Sequence, residues 1–145
     1  MNVYELLTGD HKKTKSLFSE LEDTDEAQVQ KRKSPFAKLI MELTVHAGAE
    51  EKLFYSRLKD TKESREITLE SLEEYKVMKR LSQELDANSV ASEEWEAKLE
   101  VLFENSKHPI QEEERELFPK ARKVLSEEEA EEIEEFKSRL DVSPA

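Results

Sequence analysis

Wound at about 100° per residue, residues 36–58 gather Phe36, Leu39, Leu43, Leu53 and Phe54 on one stripe. His46 and Glu50 fall in the middle of that stripe. A carboxylate left unpaired among hydrocarbon costs several kcal/mol, so something must compensate it, and a metal ion is the leading candidate. Other stretches carry the same helical period. Asn2 followed by Glu5 reads as a capping box that opens a helix over 3–22, with Leu7, His11, Thr14, Phe18 and Leu21 on one face. Gly9 costs this helix about 1 kcal/mol relative to Ala, which close approach of a neighbour would explain. Asp25 can cap a second helix running to Leu58, with Pro35 bending it. After a polar connection at 60–64, a third helix over 65–86 lines up Leu72, Tyr75, Met78, Leu81 and Leu85. Asn88 and Ser89 mark the next turn. Ser92 opens a fourth helix reaching Arg122, and Ser126 with Glu129 opens a fifth over 127–140, whose stripe is Ala130, Ile133, Phe136 and Leu140.

Long helices joined by short connections predict an all-α fold: an up-down-up-down four-helix bundle with a short C-terminal fifth helix packed outside. Residues 1–140 are expected to form one domain, and 141–145 a frayed tail.

Composition supports this reading. The 145 residues include only 2 Gly and 4 Pro, and 40% are charged. The net charge of −12 repels nucleic acid and anionic membranes, so neither is an expected partner. The one compact basic run, Lys31-Arg32-Lys33, is too short for a phosphate-binding track. The absence of cysteine excludes disulfides, thiolate metal sites and cysteine nucleophiles. No apolar run approaches the roughly 20 residues of a membrane span. The Met-Asn-Val-Tyr-Glu start lacks the regions of a signal peptide, which makes a cytoplasmic location the expectation. With Gly9 and Gly48 as the only glycines, no phosphate-cradling loop can form.

The chemistry falls to three histidines, His11, His46 and His108. Two are followed four residues later by Glu, as His46/Glu50 and His108/Glu112, a spacing that puts both side chains on one helix face. Glu is so frequent here that such a partner arises readily by chance. Position is the stronger argument for His46 and Glu50, which sit within an apolar stripe. On a straight helix His108 and Glu112 lie nearer Val101 than the Leu99–Leu117 line, although Pro109 bends the helix between them. A surface His and Glu on a charged helix is the alternative for that pair.

The order of these residues resembles the hemerythrin-like (HHE cation-binding) domain family. The resemblance rests on Asp10-His11-Lys12, on His46-Ala47-Gly48-Ala49-Glu50-Glu51 with Leu53-Phe54-Tyr55 after it, on Glu74-Tyr75, and on His108-Pro109-Ile110-Gln111-Glu112-Glu113-Glu114-Arg115-Glu116-Leu117-Phe118-Pro119. It covers residues 1 to about 125 and implies two iron ions (Fe2+/Fe3+), joined by an oxo or hydroxo group, inside the bundle. Glu50 and Glu112 would bridge them. His11 and His46 would serve one iron, and His108 with the helix-three residue the other. The implied ligand set is His11, His46, Glu50, Tyr75, His108 and Glu112.

The chain departs from the family at Tyr75, where the family has His, and at Pro109, where it has a second His. These departures argue against reversible oxygen transport. Two readings of Tyr75 stand: a phenolate ligand that favours the ferric state, or a core-edge tyrosine whose hydroxyl rests on Glu50 or Glu112. The resemblance thus implies a centre that reacts with or binds a small partner (O2, peroxide or NO), with peroxidase, catalase-like or oxidase turnover as one possibility. An iron- or oxygen-sensing or storage module without turnover is the alternative, and a metal-free descendant bundle is a third. Spacing alone names neither iron nor a pair of ions, and leaves zinc and manganese open.

Overall fold

The computed structural model describes residues 2–141, with side chains up to Arg139. Among these residues there are five helices and no strand. Helix α1 is Val3–Glu22, and the Asn2 side chain accepts the Glu5 N–H at 2.9 Å, the cap read from the sequence. Helix α2 covers residues 29–58 and α3 is Lys62–Asp86. Helix α4 covers residues 93–124, opened by Ser92, whose hydroxyl accepts the Trp95 N–H at 3.1 Å. Helix α5 is Glu127–Asp141. Its capping box closes in both directions: Ser126 Oγ accepts from the Glu129 N–H at 3.1 Å, and Glu129 Oε1 accepts from the Ser126 N–H at 3.3 Å. Residues 142–145 of the expected tail lie outside the described residues.

One boundary and one glycine differ from expectation. Asp25 does not cap α2; its Oδ1 accepts the Ala27 N–H at 2.9 Å, making a turn, and the helix begins only at Val29. Gly9 meets no neighbour, since a β-carbon there would find nothing within 4 Å.

Helix α3 packs on α4 and α2, while α1 packs on α2, α4 and α5. Two apolar clusters fill the interior. One contains Leu7, Phe54, Leu58, Leu117 and Phe118. The other contains Phe18, Leu39, Leu85, Trp95 and Leu102. Between them α1, α2 and α4 change from hydrocarbon to polar residues: His11 lies between Leu7 and Phe18, His46 and Glu50 between Leu39 and Phe54, and Glu113 between Leu102 and Leu117. A second buried cation stands apart from this layer. Arg32 donates to Thr24 Oγ1 at 2.8 Å, to Glu96 at 2.6 Å and to the Val90 carbonyl, and stacks over Trp95.

The stripe of α5 also departs from expectation. Ile133 is buried as expected, but Phe136 is 43% exposed and Lys137, at 1%, takes the inward position. Lys137 lies four residues after Ile133 and seven after Ala130, so helical phase favours it; its ammonium finds buried anions, whereas Phe136 lies one residue off that line. The Leu140 side chain lies outside those described. Among the described residues, no helix is long and apolar enough to cross a membrane.

Candidate metal centre

The polar layer surrounds a cavity of about 70 Å³, room for a few water-sized species. Helix α1 brings Asp10 and His11 to it, α2 brings Glu42, His46 and Glu50, and α4 brings Glu113. Positions i, i+4 and i+8 creep around an α-helix by about 40° per step. Helix α2 offsets part of that creep with a wider π segment, Glu42–His46, which holds two of the three positions. Glu42, His46 and Glu50 consequently share one inward face, each under 9% exposed.

The donors form two triads around the one cavity. In Asp10, Glu42 and His46, and in His11, Glu50 and Glu113, one ligand atom per residue lies within 4.8 Å of the others. His46 Nδ1 is 3.9 Å from Asp10 Oδ2, and its Nε2 is 4.0 Å from Glu42 Oε1. His11 Nε2 is 3.3 Å from Glu113 Oε1. The Tyr55 hydroxyl donates to the other Glu113 oxygen. Lys13 reaches Glu42 at 3.2 Å. Lys137 enters from α5, with its Nζ 3.1 Å from Asp10 Oδ2 and 3.8 Å from Glu50 Oε2, and donates to the His46 carbonyl at 3.3 Å.

The electrostatics are those of a site with more negative charge than it can hold. Burial pushes the Glu50 carboxyl well above its ordinary pKa, and the facing Glu113 pushes it further. Burial raises Glu113 too, against the hydrogen bond from the Tyr55 hydroxyl. Glu42 is raised by burial, with His46 opposing. Burial opposes the Lys137 charge, yet Glu50, Asp10 and Glu113 outweigh it and hold that ammonium above its usual value. Glu50 Oε1 and Glu113 Oε1 are buried without a donor in hydrogen-bonding geometry. Unsatisfied buried carboxylate oxygens beside imidazoles are the donor set of a hard or borderline cation. The residues present therefore fit a bound metal.

Three of the six residues named from the sequence, His11, His46 and Glu50, line this cavity as potential ligands. Tyr75 lines it as well, with its hydroxyl 3.6 Å from where a β-carbon on Gly48 would stand. Burial, then Glu51 and Glu50, raise its phenol above the ordinary value. The tyrosine that bonds to an interior carboxylate is Tyr55. His108 and Glu112 are not brought to the cavity. The His108 side chain is 66% exposed, with Nδ1 2.9 Å from Glu74 and 3.4 Å from Glu112, in an outer cluster completed by Glu70. The Glu74 hydrogen bond raises the His108 pKa. The reason is phase. Trp95, Leu99, Leu102 and Ser106 set the inward face of α4, and Pro109, Ile110 and Glu113 continue it to the cavity. His108 and Glu112 fall with Val101, itself 47% exposed.

Asp10, Glu42, Glu113, Tyr55 and Lys137 were not singled out from the sequence. Glu42 had a signal, since it precedes His46 by the same four residues that Glu50 follows it. Glu113 was in phase with Trp95, Leu99 and Leu102. Lys137 shared a face with Ile133. Asp10 and Tyr55 stood in the stretches that carry the family resemblance, without a role of their own.

Comparison with known proteins agrees with the geometry. The hemerythrin HHE cation-binding domain family matches residues 2–121. The chain belongs to this family. As a hemerythrin HHE domain it is 32% identical over 139 residues to a protein of Nostoc sp. (strain PCC 7120 / SAG 25.82 / UTEX 2576) named DNA nickase. That match takes in 95% of the chain but only 39% of the relative, so the chain spans about two fifths of that protein's length. No solved structure matches it. The family match ends before α5, so the helix that carries Lys137 lies beyond the matched HHE domain.

Proposed function

We propose that this hemerythrin HHE domain holds two iron ions between its apolar cores and binds or reacts with a small oxidant: O2, peroxide or NO. The observation that carries the reading is the pair of triads on one cavity. Asp10, Glu42 and His46 would hold one ion, and His11, Glu50 and Glu113 the other. Imidazole together with carboxylate suits iron in both oxidation states. Bound there, the metal supplies a Lewis acid and a reservoir of electrons.

The chain's own groups set the conditions. The apolar clusters flank the cavity on either side. The Tyr55 hydroxyl orients Glu113, and Lys13 orients Glu42, as outer partners of metal-binding carboxylates do. With four carboxylates against two imidazoles, the donor set favours the higher oxidation state over reversible oxygen carriage. Tyr75, which also lines the cavity, would be a further hydroxyl for a small ligand or a metal.

The test is anaerobic loading with Fe2+, metal counting, and peroxide consumption measured against free iron. Two irons per chain with turnover above free iron support the reading. Two irons without turnover leave a binding or sensing module. A wild-type chain that retains no metal overturns both. A phenolate-to-iron absorption band that disappears in Tyr75→Phe assigns Tyr75 as a ligand; one that persists removes it.

The name of the Nostoc relative suggests a second reading, metal-assisted cleavage of a phosphodiester. The net charge of −12 works against duplex binding by this chain alone. Nicking of supercoiled plasmid by the metal-loaded chain, abolished by Glu113→Gln, would establish that reading.

A further inference from the structure

The centre already contains a cation, and the chain supplies it. The Lys137 ammonium is 1% exposed and lies between the two triads, 3.1 Å from Asp10 of one and 3.8 Å from Glu50 of the other. A dication bound to those same carboxylates would stand within a few ångströms of the ammonium. Like charges so close inside a poorly screened interior repel strongly. The carboxylates also have a limited set of oxygen lone pairs, and Asp10, Glu50 and Lys137 all line the one cavity.

Helix α5 is the element that carries this ammonium into the site. It lies beyond the matched HHE domain. Its first turns are held by Ile133, by the packing of Ala130 on the apolar cluster, and by Arg57, which donates to the Glu129 carbonyl at 3.1 Å and to Glu132 at 3.0 Å. Toward its C-terminal end, Lys137 is the buried residue among those whose side chains are described, while neighbouring Phe136 is 43% exposed.

We infer that Lys137 is a tethered counter-cation that closes the metal site, so that metal and the C-terminal part of α5 compete for the same carboxylates. Metal entry releases Lys137 to solvent and loosens the end of α5; metal loss lets the ammonium return and neutralise Asp10 and Glu50. This makes α5 a reporter of metal occupancy and Lys137 a determinant of metal affinity. The inference rests on the metal-binding reading proposed above.

Hydrogen exchange by mass spectrometry on the full chain tests it, with and without Fe2+ under anaerobic conditions and with redox-inert Zn2+. Bound metal is counted in the same samples. Amides of residues 134–139 are expected to exchange at least tenfold faster on loading, while those of residues 42–50 slow. Lys137→Met should bind metal at least tenfold more tightly, with α5 exchange indifferent to loading. Metal bound with unchanged or greater protection of α5 overturns the inference and leaves the metal reading intact. Equal or weaker metal affinity in Lys137→Met also overturns it. If neither protein retains metal, the metal reading fails and the inference with it. The wild-type exchange measurement stands even if the variant folds poorly.

Discussion

Glu113→Gln exchanges one buried carboxylate for an amide of the same shape, and the structure sets the size of the effect. Ligand atoms of Glu50 and Glu113 lie within 4.8 Å of one another. If both were ionised, the two charges at that distance would repel by about 3.5 kcal/mol at an effective dielectric of about 20, a cost that the raised pKa of each partly avoids. Lys137, 3.8 Å from Glu50, returns about 4 kcal/mol of attraction on the same scale, so Glu50 is nearly compensated and Glu113 is the surplus charge. Gln keeps an oxygen to accept the Tyr55 hydroxyl but removes the repulsion and the desolvation of the anion. Part of the Lys137 attraction is lost as well. The metal-free variant should therefore be more stable than wild type at pH 7 by about 1–3 kcal/mol, the range found when buried ions are replaced by neutral groups. That corresponds to roughly 3–9 °C in Tm for a domain of this size.

The pH dependence has a definite sign. A carboxyl whose folded pKa is raised holds its proton longer in the folded chain than in the unfolded one, so stability falls as pH rises from about 4.3 through the raised value. Glu42, Glu50 and Glu113 all act this way in wild type. Urea denaturation of metal-free protein between pH 4.5 and 7.5 should show this fall, and a shallower one in Glu113→Gln. With metal at about one hundred times its dissociation constant, wild type should gain about 2.7 kcal/mol and the variant much less. A metal-free variant equal to or less stable than wild type would refute the surplus charge and, with it, the physical argument for a cation site.

Other substitutions test separate parts of the structure. Tyr55→Phe leaves a buried Glu113 oxygen without its hydroxyl donor and should cost about 1–3 kcal/mol in chemical denaturation; a neutral result would deny the bond. Arg32→Met removes the charged bonds to Thr24, Val90 and Glu96 and the stacking on Trp95. It should cost at least about 2 kcal/mol while leaving metal stoichiometry unchanged, because Arg32 lies outside the cavity lining. Gly9→Ala should raise stability by about 0.4–1 kcal/mol, since its added methyl meets open space; a loss would reveal a contact at that face.

Local chemistry settled much of this protein. Caps are short-range bonds between residues three apart, so Asn2, Ser92 and Ser126 could be read as helix starts, and the structure closes each of them. Periodicity located the polar interruption at His46 and Glu50, because burial repeats with the helical turn. Periodicity also set His108 and Glu112 beside Val101, where the structure seats them, whereas the family resemblance drew them inward. Along α4 the phase of Trp95, Leu99 and Leu102 carries through Pro109 to Glu113, one residue past Glu112.

What no single helix could show is which faces meet. Asp10 becomes a candidate ligand only because α1 crosses the polar layer opposite His46, and Tyr55 matters only because α4 brings Glu113 to its hydroxyl. The π segment that helps bring Glu42, His46 and Glu50 onto one face is likewise a property of the packed helix. Lys137 is the extreme case. In the sequence it is a lysine on an acidic helix, next to a phenylalanine better suited to burial. Tertiary structure reverses the two, because four carboxylates gathered from three helices make an electrostatic well that none of those helices contains alone.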